Sequence, residues 1–371
     1  MKLTCLQKNL NEALTKVYRA VPTKSELPIL SNVLISAKDN QLKLSATNLA
    51  TTIVTYTGAA VEKEGSITVP AKLIKEFISN LTSGNIEIEL DRDILHLTSD
   101  NTKTKFNGIT SEDYPDLPED VAHINFIELD AGVFNKTLAS IGFSAATDES
   151  RPIFTGILLK FEGDIVTLAA SDGFRLSETK VKLKKKVDKD ISLIVPSKTL
   201  MEITRIFTAD EPLLFGVDEN DNLAVFKQND TLVITRVLEG NYPDYQKIVP
   251  KEGKVKMEFS VSELLEAVKL TNIFAKEGDS AIVLEIDPEG AINLQAIAEE
   301  MGEHKGSIKA QVDSDEKVLI GFNSKYLMDF LGNVNSETIT ASTSGSTAAC
   351  IFRLPDNENY FHIIMPIQLN K

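Results

Sequence analysis

The residue types that carry most enzyme chemistry are present in this sequence, but their spacing is not typical of catalytic sites. No two histidines stand at a metal-ligand spacing, and no GxSxG, Walker A or GxGxxG pattern occurs. Carboxylates are plentiful, yet their spacing does not indicate a two-metal site. These patterns do not exclude an enzyme, but they favour a binding protein with no catalytic residue, metal or cofactor. The four histidines are His96, His123, His304 and His362.

Two further features could carry chemistry, and each has a simpler structural interpretation. The Ser/Thr/Gly run at residues 342–347 could cradle a phosphate, although such a run is more often a polar turn. Cys5 and Cys350 lie at opposite ends of the chain and form no metal-type spacing. We predict that both are reduced core residues of a cytoplasmic protein.

The stretch at residues 171–176 is the strongest candidate for a recognition element. It follows a strand-like run at residues 165–168 and breaks it with Asp172-Gly173, a pair that readily forms turns. An aromatic ring, a guanidinium and a leucine come directly afterwards. Two interpretations remain open: a strand-end turn followed by one more strand, or a rigid strand end that presents these three side chains outward to a partner.

Composition indicates an ordinary globular protein with more than one domain. The chain has 371 residues, of which 42% are hydrophobic and 25% are charged, and two or three domains are expected at this length. No apolar run approaches the roughly 18 residues of a membrane helix, and the first residues do not resemble a secretory signal. The net charge of −15 argues against nucleic acid binding unless the lysines and arginines are clustered.

A threefold internal repeat organises the elements that must position these residues. In each copy a short apolar strand stops at Pro or Asn, and a small residue, a lysine and an amphipathic helix follow. Pro70 and Pro196 are 126 positions apart, and Asn323 follows Pro196 by 127. The three copies are residues 67–77, 193–203 and 319–330.

Other landmarks keep nearly the same interval. Tyr-Pro-Asp at residues 114–116 recurs 128 positions later at residues 242–244. Each copy is predicted to run as helix, strands, helix, strands, which indicates an α+β fold of three structurally similar domains. In each domain, two helices pack on antiparallel sheet. The predicted domains are residues 1–120, 125–250 and 251–371.

Positive charges recur on the predicted helices while acidic residues concentrate in loops. Lys8, Lys16 and Arg19 fall within about 80° of one another on a helical projection, and Lys198 aligns with Arg205. For one helix, a solvated face explains such a pattern. Repetition at equivalent positions favours a shared basic surface on an acidic protein. The corresponding lysines of the other repeated helices are Lys72, Lys75 and Lys325.

Over essentially its whole length, the chain resembles the bacterial DNA sliding clamps, the β subunits of DNA polymerase III. The resemblance implies a head-to-tail dimer that closes a six-domain ring around duplex DNA. It also implies a non-catalytic clamp that tethers the replicative polymerase and other replication and repair proteins. The segments that carry it are Leu-Pro-Ile-Leu at 27–30, Thr-Val-Pro-Ala at 68–71, Ser-Asp-Gly-Phe-Arg-Leu at 171–176, Tyr-Pro-Asp-Tyr at 242–245 and Ile-Met-Pro-Ile-Gln-Leu at 364–369.

The resemblance also implies three sets of site residues. Short hydrophobic peptides of polymerases, clamp loader and repair proteins would bind Phe154, Ser171, Gly173, Phe174, Arg175, Leu176, Pro243, Lys247, Ile248, Ile363, Ile364, Met365, Pro366, Ile367 and Gln368. DNA would pass Lys8, Lys16, Arg19, Lys24, Lys72, Lys75, Arg151, Lys198, Arg205 and Lys325, without base-specific contacts. The dimer seam would include Phe106, Leu270, Ile273 and Phe274.

Two alternative functions remain open from the residues alone. An enzyme could use the scattered carboxylates, in which case the purified protein would turn over nucleotides or DNA unaided. A scaffold could bind partners without encircling DNA, in which case it would leave circular and linear DNA equally fast.

Overall fold

Every strand pairing that the structure describes is antiparallel. The computed structural model describes residues 1–100, 102–250 and 253–369. Those residues form six α-helices on antiparallel sheets, so the predicted α+β class is confirmed. The helices are α1 (Gln7–Val17), α2 (Ala71–Asn80), α3 (Ala131–Ile141), α4 (Ser197–Ile206), α5 (Val261–Ala275) and α6 (Ser324–Asn333).

The strands run through the whole described chain. They are β1 (Lys2–Leu6), β2 (Asn32–Lys38), β3 (Gln41–Thr47), β4 (Thr51–Gly58), β5 (Ala60–Lys63), β6 (Gly65–Pro70), β7 (Asn85–Asp91), β8 (Ile94–Ser99), β9 (Thr102–Asn107), β10 (Ile127–Leu129), β11 (Gly156–Glu162), β12 (Ile165–Ser171), β13 (Arg175–Lys182), β14 (Ile191–Pro196), β15 (Leu213–Asp218), β16 (Leu223–Gln228), β17 (Thr231–Arg236), β18 (Val255–Ser260), β19 (Ala281–Asp287), β20 (Ala291–Ala298), β21 (Gly302–Lys309), β22 (Gln311–Asp313), β23 (Val318–Asn323), β24 (Thr338–Thr343), β25 (Cys350–Leu354) and β26 (Asn357–Ile364).

The contacts divide the chain into two compact units. The first unit comprises residues 1–132 and 202–237. It contains a five-stranded sheet in the order β5-β1-β7-β8-β9 and an eight-stranded sheet in the order β10-β15-β16-β17-β4-β3-β2-β6. Pairing of β17 with β4 places Val233 opposite Ile53, and both are buried. Helix α1 buries Leu10, Leu14 and Val17 in this unit.

The second unit comprises residues 133–201 and 238–371. It contains a nine-stranded sheet in the order β14-β11-β12-β13-β26-β25-β24-β18-β22 and a four-stranded sheet in the order β21-β20-β19-β23. Pairing of β13 with β26 places Leu176 opposite Ile363 and Ser177 opposite His362. Strand β17 pairs with β4, and β26 pairs with β13, so each joins a strand of the preceding repeat. Because these pairings cross the repeat boundaries, the contacts divide the chain into two units, whereas the sequence repeat predicts three domains. The three-domain boundaries stay a prediction.

The repeated strand-to-helix joints are present as predicted. Strand β6 ends at Pro70 and α2 begins at Ala71, while β23 ends at Asn323 and α6 begins at Ser324. Asn323 Oδ1 accepts a hydrogen bond from the backbone N–H of Lys325 (2.9 Å), which satisfies one of the unpaired donors at a helix start. The sequence therefore predicted these joints from local chemistry alone.

Two local predictions were wrong: that each repeat begins with a helix, and that Lys8, Lys16 and Arg19 lie on one helix. A strand (β1, β10 or β18) precedes the first helix of each repeat. In β1 the cause is a two-residue alternation, with Leu3 and Cys5 buried and Lys2 exposed. Helix α1 ends at Val17 and Arg19 lies in a 3-10 turn, so the helical projection does not extend to this residue.

No α-helix of the described residues is long and apolar enough to cross a membrane.

Candidate partner-binding groove and DNA-facing surface

The predicted recognition stretch is a turn held by its own side chains. The backbone N–H of Gly173 donates to Ser171 Oγ (3.0 Å), and those of Phe174 and Arg175 both donate to Asp172 Oδ1 (2.9 and 3.0 Å). Ser171 Oγ in turn donates to the carbonyl of Arg175 (2.7 Å). We call residues 171–175 the second-unit turn. Its bonds fix the direction in which Phe174, 54% exposed, leaves the backbone.

Two features favour glycine at position 173. Its φ of +91° lies in the left-handed region that favours glycine. A Cβ added there would also stand 2.6 Å from Arg151 Nη1. The turn and the Arg151 side chain are therefore packed directly against each other.

Arg175 and Leu176 are buried, so the expectation that both point outward was wrong. Arg175 is 4% exposed; its Nε lies 3.1 Å from Asp172 Oδ2 and its Nη1 lies 2.8 Å from Asp329 Oδ2. Its guanidinium also stacks 4.6 Å from the centre of the Tyr326 ring. Because residues 175–179 of β13 are all buried, this strand end is covered on both faces.

Three exposed apolar side chains mark the outer surface near the turn. Phe174, Ile248 and Met365 are 54%, 64% and 41% exposed. The backbone N–H of Met365 donates to the carbonyl of Phe174 (2.8 Å), which joins the end of β26 to the second-unit turn. Ile248 follows Tyr245, which packs in the buried cluster that contains Leu176. The fold thus brings together three stretches that are far apart in the sequence.

Arg151 was predicted to face DNA, and the structure places it against this apolar surface. Its guanidinium carbon lies 5.4 Å from the Phe154 ring centre and 5.6 Å from the Phe174 ring centre. Tyr242 stands edge-on to Phe154 at 6.1 Å. These contacts place one cation and three aromatic rings at the second-unit turn, a combination suited to stacking and to apolar burial.

The other predicted groove residues differ in exposure. Lys247 is exposed and pairs with Asp244 (2.9 Å), and this hydrogen bond raises the pKa of Lys247. The backbone N–H of Ile367 donates to the carbonyl of Gly321 (2.9 Å), which anchors the segment after β26. Ser171, Ile363 and Ile364 are buried; Phe154, Pro366 and Ile367 are half-buried; Gly173, Pro243 and Gln368 are exposed.

Sequence reasoning missed several residues that support this site. Tyr326 and Asp329 of α6 contact Arg175, and nothing in the sequence linked them to a turn about 150 positions earlier. Tyr242 had a signal, since it belongs to the repeated Tyr-Pro-Asp tripeptide. Burial raises the pKa of Tyr242 and keeps its hydroxyl protonated.

Within the first unit, contacts gather several predicted DNA-facing residues. Glu202 accepts hydrogen bonds from Arg19 Nη1 and Arg205 Nη1, both at 2.6 Å. Lys75 Nζ lies 5.1 Å from the ring centre of Tyr18, the residue before Arg19. Arg19 and Arg205 therefore lie close together on one carboxylate, which offsets part of their charge, and Lys75 packs on the ring of the neighbouring residue in the chain.

The remaining predicted cations make separate contacts or are exposed. Lys16 Nζ donates to Thr231 Oγ1 (3.2 Å), and Lys72 lies 4.0 Å from Glu76. In the second unit, Lys325 Nζ lies 2.7 Å from the same Asp329 oxygen that pairs with Arg175. Lys8, Lys24 and Lys198 are exposed.

The predicted seam residues fall into two groups. Phe106 is 3% exposed and stands edge-on to Phe77 (5.7 Å), so it packs inside the first unit. In the second unit, Leu270 and Ile273 of α5 are 49% and 61% exposed, and Phe274 stacks on His304 (5.8 Å).

The described residues contain neither a metal-binding cluster nor an exposed cysteine thiol. No group of three or more His, Cys, Asp or Glu side chains there could hold a metal ion. Cys5 and Cys350 are buried free thiols, as predicted. Burial raises the pKa of Cys5 to about 12 and raises that of Cys350 as well, so both thiols stay protonated.

Comparison with known families matches almost the whole chain. The N-terminal, central and C-terminal domain models of the DNA polymerase III beta subunit match residues 1–118, 128–244 and 246–368. The beta sliding clamp of Synechococcus elongatus is 30% identical, and that of Bacillus subtilis is 26% identical; the alignments cover 100% and 99% of this chain and all of each relative.

Solved structures agree with the sequence comparison. The DNA polymerase sliding clamp of Bacillus subtilis is 26% identical, with a TM-score of 0.94 over the full length of both chains. The DNA polymerase III beta chain of Streptococcus pneumoniae is 27% identical, with a TM-score of 0.94 over 99% of this chain and all of the other. The chain therefore belongs to the family of DNA polymerase III beta subunits. It is a processivity clamp of DNA replication, and its family is not enzymatic, so both predictions are confirmed.

Proposed function

We propose that two copies of the chain close head to tail into a ring that encircles duplex DNA. Membership of the family gives DNA and the polymerase as partners and a homodimer as the assembly. The finer proposal is that the seam joins strand β9 of one copy, beneath which Phe106 is buried, to the region of Leu270, Ile273 and Phe274 in the other. The exposure of Leu270 and Ile273 supports it, because half-exposed apolar side chains gain free energy when a partner covers them.

The observation that carries the proposed partner site is the surface formed by Phe174, Ile248 and Met365 beside Arg151. Three exposed apolar side chains on a backbone fixed by hydrogen bonds form a pre-organised site for a short hydrophobic peptide. We assign peptides of the replicative polymerase, the clamp loader and repair or translesion polymerases to this groove. Tethering by such a peptide makes rebinding of the polymerase effectively intramolecular, which is how a clamp raises processivity.

The proposed DNA-facing surface consists of the ten lysines and arginines named from the sequence. Its support is the pairing of Arg19 and Arg205 on Glu202 in the first unit, with Lys75 on the ring of Tyr18, because clustered cations attract phosphates without reading bases. Arg151 belongs to this set in the sequence prediction, and its contacts with Phe154 and Phe174 favour a role in the peptide groove instead.

We further propose three domains at residues 1–120, 125–250 and 251–371 and a cytoplasmic location. The sequence repeat and the ranges of the three family models support the domain boundaries.

Retention on circular DNA tests the proposed ring. The full-length protein is loaded on a nicked circular plasmid by the clamp loader, and half of the sample is then linearised with a restriction enzyme. A ring stays on the circle and slides off the linear molecule because topology holds it. Equal loss from both forms, or a stable monomer by mass in solution, would contradict the proposal.

A further inference from the structure

The first unit contains a second turn with the same hydrogen bonds as the second-unit turn. We call residues 47–51 the first-unit turn. The N–H of Leu49 donates to Thr47 Oγ1 (3.0 Å), and those of Ala50 and Thr51 both donate to Asn48 Oδ1 (3.0 and 2.8 Å). Thr47 Oγ1 lies 3.2 Å from the carbonyl of Thr51. Each bond has its counterpart 124 positions later.

The strand beside the turn is also joined in the same way. The backbone N–H of Arg236 donates to the carbonyl of Ala50 (2.9 Å), as that of Met365 donates to the carbonyl of Phe174 (2.8 Å). The first unit therefore repeats the backbone frame on which the proposed peptide groove is built.

Leu49 occupies the position that Gly173 has in the second unit. Its φ of +72° lies in the left-handed region, where a leucine is strained, and its side chain is 52% exposed. Neither the left-handed conformation nor the exposure of this apolar side chain stabilises the folded protein. A strained, exposed residue in a turn that hydrogen bonds hold in place is a feature typical of binding sites.

A cavity of about 540 Å³ opens beside Leu49. Its volume is within the range of sites that take up a few side chains of a ligand. Aliphatic groups from the turn, from the Tyr-Pro-Asp segment and from β17 form much of its lining. The apolar lining includes Leu49, Pro115, Leu117, Leu223 and Ile234.

Charge indicates what the cavity accepts. Asp116 and Asp221 line it together with a single cation, Arg236, so the lining is negative overall. Neither aspartate forms an ion pair with a residue in the described part of the chain. A negative lining repels phosphate, which argues against DNA, and it attracts a basic side chain.

We propose that this cavity binds a short peptide segment of a partner protein in which aliphatic residues stand next to a lysine or arginine. The aliphatic side chains pack on Leu49, Pro115 and Leu117, and the basic group lies near Asp116 and Asp221. This site is separate from the groove around Phe174, and it goes beyond the proposed function because it gives the chain a second peptide site, one that prefers a basic ligand.

The test uses the full-length protein with ¹³C-labelled leucine methyl groups and the blocked peptide acetyl-Leu-Leu-Lys-amide. We expect the methyl signals of Leu49 and Leu117 to shift with peptide concentration. Replacing the peptide's lysine with glutamate should weaken binding about threefold, because exposed charge pairs contribute modestly. In the variant Leu49→Gly, which suits the left-handed backbone, binding should be lost while the other leucine signals stay in place.

The matched control is Leu319→Glu, which changes a leucine of similar exposure (49%) in the second unit and should leave binding unaltered. Absence of shifts, equal binding of the lysine and glutamate peptides, or unchanged binding in Leu49→Gly would each overturn the proposal. Because these signals belong to the first unit, their absence leaves the test of the groove around Phe174 unaffected.

Discussion

The first-unit and second-unit turns share one backbone frame and differ in the side chains that it carries. Behind the first-unit turn, Ile53 lies opposite Val233 in a wholly apolar pair. At the equivalent positions behind the second-unit turn, Ser177 lies opposite His362, and Ser177 Oγ is 2.8 Å from His362 Nδ1. The hydrogen bonds of the turn are therefore compatible with either an apolar or a polar core.

The difference extends to the last residue of each turn. Thr51 ends the first-unit turn, whereas Arg175 ends the second-unit turn and lies in a buried network with Asp172 and Asp329. A repeated backbone can thus support different recognition chemistry, because the turn needs only the hydrogen-bonding side chains at its first two positions. The residues that follow are free to specialise.

The largest expected difference between the turns comes from removing Arg175. The variant Arg175→Ala leaves the carboxylates of Asp172 and Asp329 without their buried partner, and the free energy of unfolding should fall by about 3 kcal/mol. The matched change Thr51→Ala removes a hydroxyl and should cost about 1 kcal/mol. Urea denaturation of both variants measures the two costs. Equal costs would show that the Arg175 network contributes no more than a hydroxyl.

The next effect concerns partner binding by the second unit. The variants Phe174→Glu and Ile248→Glu place a charge on the exposed apolar surface, and each should lower clamp-dependent synthesis by the polymerase at least about tenfold. Both residues are more than half exposed, so folding should be retained. Ile165→Glu, at a position 41% exposed on β12, serves as control. Full stimulation by the Phe174 and Ile248 variants would place the peptide site elsewhere.

A smaller effect should appear as a pH dependence confined to the second unit. Burial, with a smaller contribution from the charge of Arg175, holds the pKa of His362 well below its usual value of 6.5. As the pH falls through 6.5, His362 is therefore protonated in the unfolded chain but stays neutral in the folded chain. Stability from this group is complete above pH 6.5 and should fall by up to about 1.4 kcal/mol for each pH unit below it.

Urea titrations between pH 7.5 and 5.5 measure this slope. The variant His362→Gln keeps a hydrogen-bonding group beside Ser177 but does not titrate, so its slope should be smaller by the contribution of one proton. The variant Val233→Ala, at the equivalent position of the first unit, should lower stability without altering the slope. An unchanged slope in His362→Gln would show that His362 is not the titrating group.

The sequence predicted one of the two turns and missed the other for a clear physical reason. Asp172-Gly173 signals a turn because glycine adopts positive φ readily, whereas Asn48-Leu49 contains no such residue. The repeated strand-to-helix joints were predictable because Pro70 and Asn323 act locally. Burial of Arg175 was not, since its partner Asp329 lies 154 positions away and is reached only in the folded chain.

The smallest effect tests the strain that distinguishes Leu49 from Gly173. In Leu49→Gly, relief of the left-handed conformation should outweigh the entropy that glycine adds to the unfolded chain, and stability should rise by about 0.5 kcal/mol. In Gly173→Ala, the added Cβ meets Arg151 Nη1 at 2.6 Å and φ stays positive, so stability should fall by about 1 kcal/mol. Thermal unfolding of the two variants shows directly whether each substitution raises or lowers the stability. A loss of stability in Leu49→Gly would mean that the half-exposed leucine side chain already stabilises the free protein by packing. Peptide binding would then not be needed to explain why Leu49 is kept in a strained conformation.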